Sequence, residues 1–169
     1  MTVKLRKPND NDIEARAALG FHPDVLLGFG LRRESPFPMS PEDAKEWVLR
    51  IATRPYGWII EHDSKLLGEV RLDNIESHDR RATLAIAIVD HQRLGQGLGR
   101  ASIQACLKIA FDELNLHRVT VRVLSSNVRA VRCYGACGFQ VEGVEREAAL
   151  TDWGWEDDII MGILAPSRL

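Results

Sequence analysis

The sequence predicts an α/β protein built on one mixed sheet with helices on both faces. A nearly continuous apolar strand at 81–89, an amphipathic helix at 98–114 and an alternating strand at 117–124 follow one another along the chain. A strand–helix–strand unit of this kind forms a right-handed parallel crossover. Strands in succession at 56–61, 66–73 and 81–89 predict an antiparallel meander, so the sheet contains both kinds of pairing.

Composition indicates one compact domain over residues 1–169. Hydrophobic residues make up 45% of the chain and charged residues 27%, close to the average of globular proteins. The net charge of −2 provides neither a basic surface for nucleic acid nor a polybasic tether. No apolar run approaches the roughly 20 residues of a membrane helix. The cysteines lie outside any Cys-x-x-Cys spacing, which is typical of a reducing cytoplasm. We therefore expect a cytoplasmic protein without nucleic-acid or membrane partners, and interpret Cys133 and Cys137 as small apolar residues rather than a redox pair.

Upstream of the meander, the sequence predicts a short strand and two helices. The strand covers 3–6 and the first helix 13–19. The second helix starts at Ser40-Pro41, with the proline in its first turn, and runs to about residue 51. Glycines and prolines between the two helices mark a loop-rich segment, which either shapes a substrate pocket or only connects elements.

Downstream of the crossover, the sequence predicts one more helix and two strands. The helix is capped by Asn127 or Ser126 and ends at Gly138. Strands at 139–149 and 155–164 bring the predicted sheet to about seven strands.

The predicted strand at 66–73 has one apolar and one charged face. The apolar face carries Leu66, Gly68, Val70 and Leu72, and the charged face carries Glu69, Arg71 and Asp73. Charged residues on an outer strand face are usually solvated, so we expect this face to contact water.

Residues 90–100 form a glycine-rich loop between the central strand and the long helix. Gly95, Gly97 and Gly99 allow backbone N–H groups to converge beside a helix N-terminus, as in a phosphate-binding loop. A tight turn with close packing is the alternative. No Lys-Ser/Thr follows, which excludes a P-loop. The Gly-x-Gly-x-Gly spacing, with no acidic residue at the end of the next strand, excludes a dinucleotide-binding fold.

Further residues extend this loop into a family pattern. Gln92-x-x-Gly95-x-Gly97 is followed by Asn127, Ala130, Tyr134 and Gly138-Phe139. In this pattern the chain resembles the GNAT superfamily of acetyl-CoA-dependent N-acetyltransferases over nearly its whole length. Glu142-Gly143 and the ending Trp153-Gly154-Trp155-Glu156-Asp157 look most like the ribosomal-protein and spermidine N-acetyltransferase branches.

The resemblance implies acetyl-CoA as cosubstrate, bound where the sheet splays between its fourth and fifth strands. The amides of 94–99 would bind the pyrophosphate, and the main chain of 88–90 would bind the pantetheine arm and polarise the thioester carbonyl. Asn127 would contact the pantetheine arm as well as cap its helix. The cofactor-binding residues implied in this way are Ile88, Val89, Asp90, Gln92, Arg93, Leu94, Gly95, Gln96, Gly97, Leu98, Gly99, Asn127, Ala130 and Tyr134.

Tyr134 and Glu69 are the predicted catalytic residues. By the resemblance, Tyr134 lies two turns beyond Asn127 on one helix face and gives its proton to the departing thiolate; core packing is the alternative. Many relatives carry Glu near the position of Thr83, and Thr cannot accept a proton from an ammonium group. Glu69 and Asp90 are therefore candidate bases. The histidines form no ligand pair with a partner acid, so we expect no metal site.

The resemblance therefore predicts an enzyme that acetylates a primary amine by direct attack in a ternary complex. The amine would belong to a protein N-terminus or to a small molecule such as a polyamine or amino sugar. An acyl-CoA-binding sensor without catalysis is the alternative, which Thr83 favours and Tyr134 opposes. Trp153 and Trp155 indicate either a subunit interface, as in a homodimer, or a pocket wall.

Overall fold

One seven-stranded sheet organises residues 2–166, which are the residues that the computed structural model describes. The strands are β1 (Lys4–Arg6), β2 (Gly57–His62), β3 (Lys65–Glu76), β4 (Arg81–Ile88), β5 (Arg118–Leu124), β6 (Gln140–Thr151) and β7 (Gly154–Leu164). The helices are α1 (Asn11–Leu19), α2 (Pro23–Leu26), α3 (Pro41–Ala52), α4 (Leu98–Lys108) and α5 (Val128–Ala136). The strand order is β1-β2-β3-β4-β5-β7-β6, so β7 lies inside the sheet and β6 at its edge. Met1 and residues 167–169 of the predicted domain lie outside the described residues.

The strands β4 and β5 form a parallel pair that separates soon after it begins. Their pairing ends at Thr83↔Thr120, whereas β5 stays paired with β7 as far as Leu124↔Asp158. The other neighbouring strands pair antiparallel. A gap therefore opens between the second halves of β4 and β5. The prediction of a mixed sheet of seven strands with a splay between the fourth and fifth is confirmed.

Helices cover both faces of the sheet and enclose two apolar cores. Helices α4 and α5 cover one face, where the larger core includes Ile103, Cys106, Leu107, Val119 and Val121. Helices α1 and α3 cover the other face, where the smaller core includes Ala44, Trp47, Val48, Ile51 and Ile59. The hydroxyl of Ser40 accepts a hydrogen bond from the N–H of Asp43 at 3.0 Å, so α3 begins as predicted. Because both faces are covered, β4 can be apolar on both sides.

On the charged face of β3, Glu69 is buried and Arg71 and Asp73 are half-buried, which contradicts the contact with water predicted for Glu69. Glu69 is only 3% exposed. Its carboxylate lies 3.3 Å from Arg50 of α3 and 3.6 Å from Arg71 of the same strand. Paired arginines offset the desolvation of a buried carboxylate. Alternation within β3 could not reveal an arginine supplied by a distant helix.

A bulge between β2 and β3 places Leu66 on the opposite face from Val70. The register shifts between Ile60 and Glu61. As a result Leu66 packs in the smaller core, whereas Leu67 and Val70 pack in the larger one. The predicted placement of Leu66 on the face of Val70 is wrong, because an inserted residue reverses the alternation of side chains.

Two helical segments differ from the prediction. The helix predicted over 98–114 divides into α4 and a wider π-helical turn at Ile109–Glu113, which the N–H of Leu114 closes by donating to the carbonyl of Ile109 at 3.0 Å. Helix α2 lies in the segment predicted as a loop and begins at Pro23, since proline suits a first turn. None of the helices within residues 2–166 is long and apolar enough to cross a membrane.

Candidate active site

The gap between β4 and β5 opens into a cavity of about 640 Å³ that reaches both faces of the sheet. Leu84, Ile86 and Ile88 line it on the side covered by α4, which we call the α4 face. Ala85 and Ala87 line it on the side covered by α3, the α3 face. Successive side chains of a strand point to opposite faces, so one strand contributes to both walls. The volume is within the range of small-molecule sites.

The glycine-rich loop borders the α4 face and keeps space open beside its backbone. Gly95 and Gly97 adopt φ values of +76° and +79°, and a Cβ on either would meet no atom within 4 Å. Gly97 is the residue before the first turn of α4, whose first N–H groups have no partner within the helix. Converging free N–H groups at a helix N-terminus bind anions such as phosphate. Leu94, Gly95, Gly97 and Gly99 all line the cavity.

Arginines add positive charge to the same part of the cavity. Those around the loop and α5 are Arg93, Arg100, Arg129 and Arg132. The nearest carboxylate oxygens to Arg93 belong to Asp63 and Asp90, at 3.9 and 4.0 Å. These separations are too long for hydrogen bonds, so the guanidinium can donate to another anion. The loop and the arginines together fit a polyphosphate.

The end of β4 presents its main chain to the gap at Ile88. The N–H groups of Val89 and Asp90 both donate to the carbonyl of Leu67, at 2.7 and 3.2 Å, and are therefore engaged within the sheet. Backbone N–H groups alternate sides along a strand, so that of Ile88 points toward the gap. Of the predicted pantetheine-binding stretch, Ile88 is the residue that lines the cavity.

Asn127 caps the N-terminus of α5, and its side chain makes two hydrogen bonds. Its Oδ1 accepts from the N–H of Ala130 at 3.1 Å, which confirms the predicted cap. Its Nδ2 donates to the carbonyl of Gly28 at 3.1 Å, in the segment after α2. Asn127, Ala130 and Gly28 all line the cavity. The amide thus fixes the start of α5 to the segment after α2, and both line the cavity.

Tyr134 lines the cavity from the second turn of α5, about one turn beyond Ala130. It is 6% exposed, and its ring packs edge-on against Phe139 with centroids 5.5 Å apart. Burial raises the pKa of its hydroxyl above the ordinary value, and the neighbouring thiols of Cys133 and Cys137 add to the shift. Among residues 2–166 the hydroxyl has no hydrogen-bond partner. The phenol is therefore protonated at neutral pH and can donate to a group in the cavity.

Some predicted site residues do not line the cavity; they are Glu69, Val89, Asp90, Gln92, Gln96 and Leu98. Three of them, Asp90, Gln92 and Gln96, make hydrogen bonds within the glycine-rich loop. Asp90 accepts a hydrogen bond from the N–H of Gln92 at 3.1 Å, and Gln96 donates to the carbonyl of Gln92 at 2.7 Å. Glu69 lies one strand away from the gap, directly opposite Ala87 in the β3–β4 register.

Asp158 lines the cavity although the sequence reasoning missed it. It lies on β7 and is 7% exposed. Its Oδ2 accepts hydrogen bonds from Nη2 and Nε of Arg122, at 2.7 and 3.2 Å. Among the described residues, it is the only carboxylate on the cavity wall. The sequence signal was the acidic run Glu156-Asp157-Asp158 in β7, but which of these carboxylates enters the cavity depends on β7 lying beside β5, which the sequence does not state.

Comparisons with known proteins agree on one family. Residues 2–140 match the family model of the acetyltransferase (GNAT) domain. The spermidine N(1)-acetyltransferase of Vibrio cholerae is 38% identical over 114 residues, which cover 66% of this chain and 65% of that protein. The Bacillus subtilis protein YjcK is 28% identical over 111 residues, 66% of this chain and 61% of that protein. The matched segments thus span about three fifths to two thirds of these relatives.

Solved structures share the fold over nearly the whole chain. A structure of spermidine N-acetyltransferase from Vibrio cholerae, in complex with CoA and spermine, has a TM-score of 0.77 and 26% identity, covering 96% of this chain and 95% of that one. A GNAT-family acetyltransferase from Bacillus anthracis has a TM-score of 0.80 at 20% identity, covering 97% and 95%. At that identity the second likeness concerns the fold alone.

Proposed function

Because the chain belongs to the GNAT acetyltransferase family, we propose that it transfers the acetyl group of acetyl-CoA to a primary amine. The observation that carries the proposal is the gap where β4 and β5 separate, since it opens the sheet to both faces. A thioester on the α4 face and an amine on the α3 face can meet there in one ternary complex. Holding both reactants in line is itself worth roughly 7–11 kcal/mol of the barrier.

The α4 face is the proposed site for acetyl-CoA. The free N–H groups around Gly97 and the guanidinium of Arg93 would bind the pyrophosphate. The main chain of Ile88 would bind the pantetheine arm, with Asn127 and Ala130 on the opposite wall. The open space beside the two left-handed glycines supports this assignment. The CoA complex of the Vibrio cholerae relative supports CoA as the ligand.

In the proposed reaction the amine nitrogen attacks the thioester carbonyl carbon. The C–N bond forms, the C–S bond breaks, and the hydroxyl of Tyr134 protonates the departing thiolate. Its raised pKa keeps that proton in place at neutral pH until the thiolate develops. Glu69 stays a prediction as proton acceptor: its carboxylate is paired with Arg50 and Arg71 and lies outside the cavity wall.

The acceptor is proposed to be a small amine, with polyamines as the first class to test. The spermidine N-acetyltransferases among the relatives support this choice. A homodimer also stays a prediction. Leu150 and Trp155 of the β6–β7 hairpin are 70% and 63% exposed, which is compatible with a subunit interface.

Thiol release tests the proposal directly. The protein is incubated with acetyl-CoA and, in turn, spermidine, an amino sugar, a free amino acid and a peptide with a free N-terminus. We expect free CoA thiol and an acetylated product with at least one of these amines. A rise in melting temperature with acetyl-CoA, but no thiol release with any amine, would instead favour the acyl-CoA-binding sensor.

A further inference from the structure

The α3 face of the cavity combines small and apolar residues with one ion pair. Ala85 and Ala87 leave room beside the gap, and Val25 and Phe29 also line the cavity. Among the described residues, the charged ones that the strands contribute to this face of the cavity are Arg122 of β5 and Asp158 of β7. Arg129 of α5 also lines the cavity, and its Nη2 donates to the carbonyl of Asp24 at 3.4 Å. Val119, Val121 and Val123 of β5 are buried in the core on the other side, so the alternating Arg122 points to the α3 face.

Asp158 lies level with the end of β4. The last paired residues of β4 and β5 are Thr83 and Thr120. Counting four residues along each parallel strand brings Ala87 level with Leu124, and Leu124 pairs directly with Asp158. The carboxylate therefore faces the part of the gap where the main chain of β4 is proposed to hold the thioester.

The charge on this face favours a cation. Arg122 contacts two carboxylates, Asp158 at 2.7 Å and Glu145 of β6 at 3.0 Å. These three side chains together carry one net negative charge. A primary alkylamine has a pKa of about 10 and arrives as an ammonium ion, which cannot attack a carbonyl until it loses a proton. It therefore needs a proton acceptor within reach, and a carboxylate has the further advantage that it attracts the ammonium charge.

We propose that Asp158 binds the ammonium group of the acceptor and accepts its proton. Both hydrogen bonds from Arg122 end on Oδ2, and within residues 2–166 Oδ1 accepts none, so Oδ1 is the oxygen that faces the substrate. The ammonium nitrogen gives one proton to Oδ1, and its lone pair then forms the C–N bond. The nitrogen's second proton leaves to solvent as the C–S bond breaks, and Tyr134 protonates the thiolate. This inference rests on the proposed amine acetylation.

Neither acidic residue predicted from the sequence is placed to do this. The carboxylate of Glu69 lies between Arg50 and Arg71, outside the cavity wall. That of Asp90 accepts from the N–H of Gln92 and also lies off the wall. Arg122, by contrast, holds Asp158 through two donors from one guanidinium, which fixes the direction of the free oxygen.

Asp158→Asn tests the assignment, and Glu142→Gln is its matched control. Each change removes a carboxylate paired with an arginine of β5, Arg122 for Asp158 and Arg118 for Glu142, but only Asp158 lines the cavity. With an amine that the wild type acetylates, we expect kcat/KM of Asp158→Asn at pH 7 to fall at least about 100-fold. We expect Glu142→Gln to stay within about threefold. The factor by which Asp158→Asn lowers kcat/KM should itself become at least about tenfold smaller at pH 9. At that pH a larger fraction of the free amine has already lost its proton in solution.

The outcomes separate the inference from the proposed function. A deficit that is independent of pH, or equal in the two variants, would show that Asp158 only supports the fold. In each variant, the rise in melting temperature with acetyl-CoA shows whether the protein is folded and whether the proposed site on the α4 face still binds acetyl-CoA. If Asp158→Asn loses that rise, Asp158→Glu decides: recovery of more than a tenth of wild-type kcat/KM supports a carboxylate role, and no recovery overturns it. A wild type that acetylates none of the amines overturns the proposed function and this inference together.

Discussion

Replacing Tyr134 with Phe removes one oxygen from the cavity wall and leaves the ring against Phe139. Since the hydroxyl has no hydrogen-bond partner among the described residues, the free energy of unfolding should change by less than about 1 kcal/mol. The effect on turnover should be much larger. A general acid contributes roughly 10²–10⁴-fold. Because the pKa of Tyr134 is raised, proton transfer to a thiolate with a pKa of about 8.5 is uphill. We therefore expect a loss near the lower end, about 100-fold.

The assay is release of free CoA thiol from the Tyr134→Phe variant at saturating acetyl-CoA, with an amine that the wild type acetylates. Chemistry must limit the rate, which a single-turnover measurement establishes. The melting temperature with and without acetyl-CoA provides the control, and we expect both values to match the wild type. A loss of turnover below about threefold under these conditions would mean that Tyr134 only packs in the core.

Three further changes test the α4 face. Gly97→Val should abolish the rise in melting temperature with acetyl-CoA, because a β-branched residue is strained at φ +79° and its side chain fills the open space. Arg93→Ala should weaken CoA binding in calorimetry by about 1–3 kcal/mol through loss of a charged hydrogen bond. Iodoacetamide at pH 7.5 should alkylate Cys133 before Cys106. A hydrogen bond from a neighbouring thiol lowers the pKa of Cys133 to about 7, whereas burial raises that of Cys106 to about 12.

Each of these tests has a control or an outcome that would contradict it. Gly143→Val also adds a side chain where no atom lies within 4 Å, but without a left-handed φ, and should leave CoA binding unchanged. An unaltered dissociation constant for Arg93→Ala would place that guanidinium in solvent. Acetyl-CoA should slow the alkylation of Cys133, which lines the cavity. Equal alkylation rates with and without acetyl-CoA would mean that the ligand does not cover this wall.

The features that the sequence predicted correctly depend on neighbours along the chain. The caps at Ser40 and Asn127 and the glycine loop each lie within a few residues of the groups they contact, so local patterns suffice. The parallel crossover follows from the order of strand, helix and strand. The splay between β4 and β5 was predicted from the family resemblance and not from the local sequence.

The features that it missed depend on residues distant in the chain. Glu69 is buried because α3 supplies Arg50, 19 residues earlier. Leu66 changes face because one residue is inserted opposite β2. Asp158 reaches the cavity because β7 pairs on one side with β5 and on the other with β6. No local pattern distinguishes this order from one with β6 inside, so a residue on β7 could not be assigned to the site.

The interior position of β7 also determines when the protein can finish folding during synthesis. On the ribosome, β1 to β4 can pair with one another as they emerge, since each neighbour has already been made. The partner that joins β5 to β6 is β7, which is translated after both of them, at 154–164. Until it emerges, β6 has no neighbour, and the free edge of β5 is open to other chains. The wall that carries Asp158 is therefore completed after the glycine loop and α5, so a nascent chain builds the proposed CoA site before the proposed amine site.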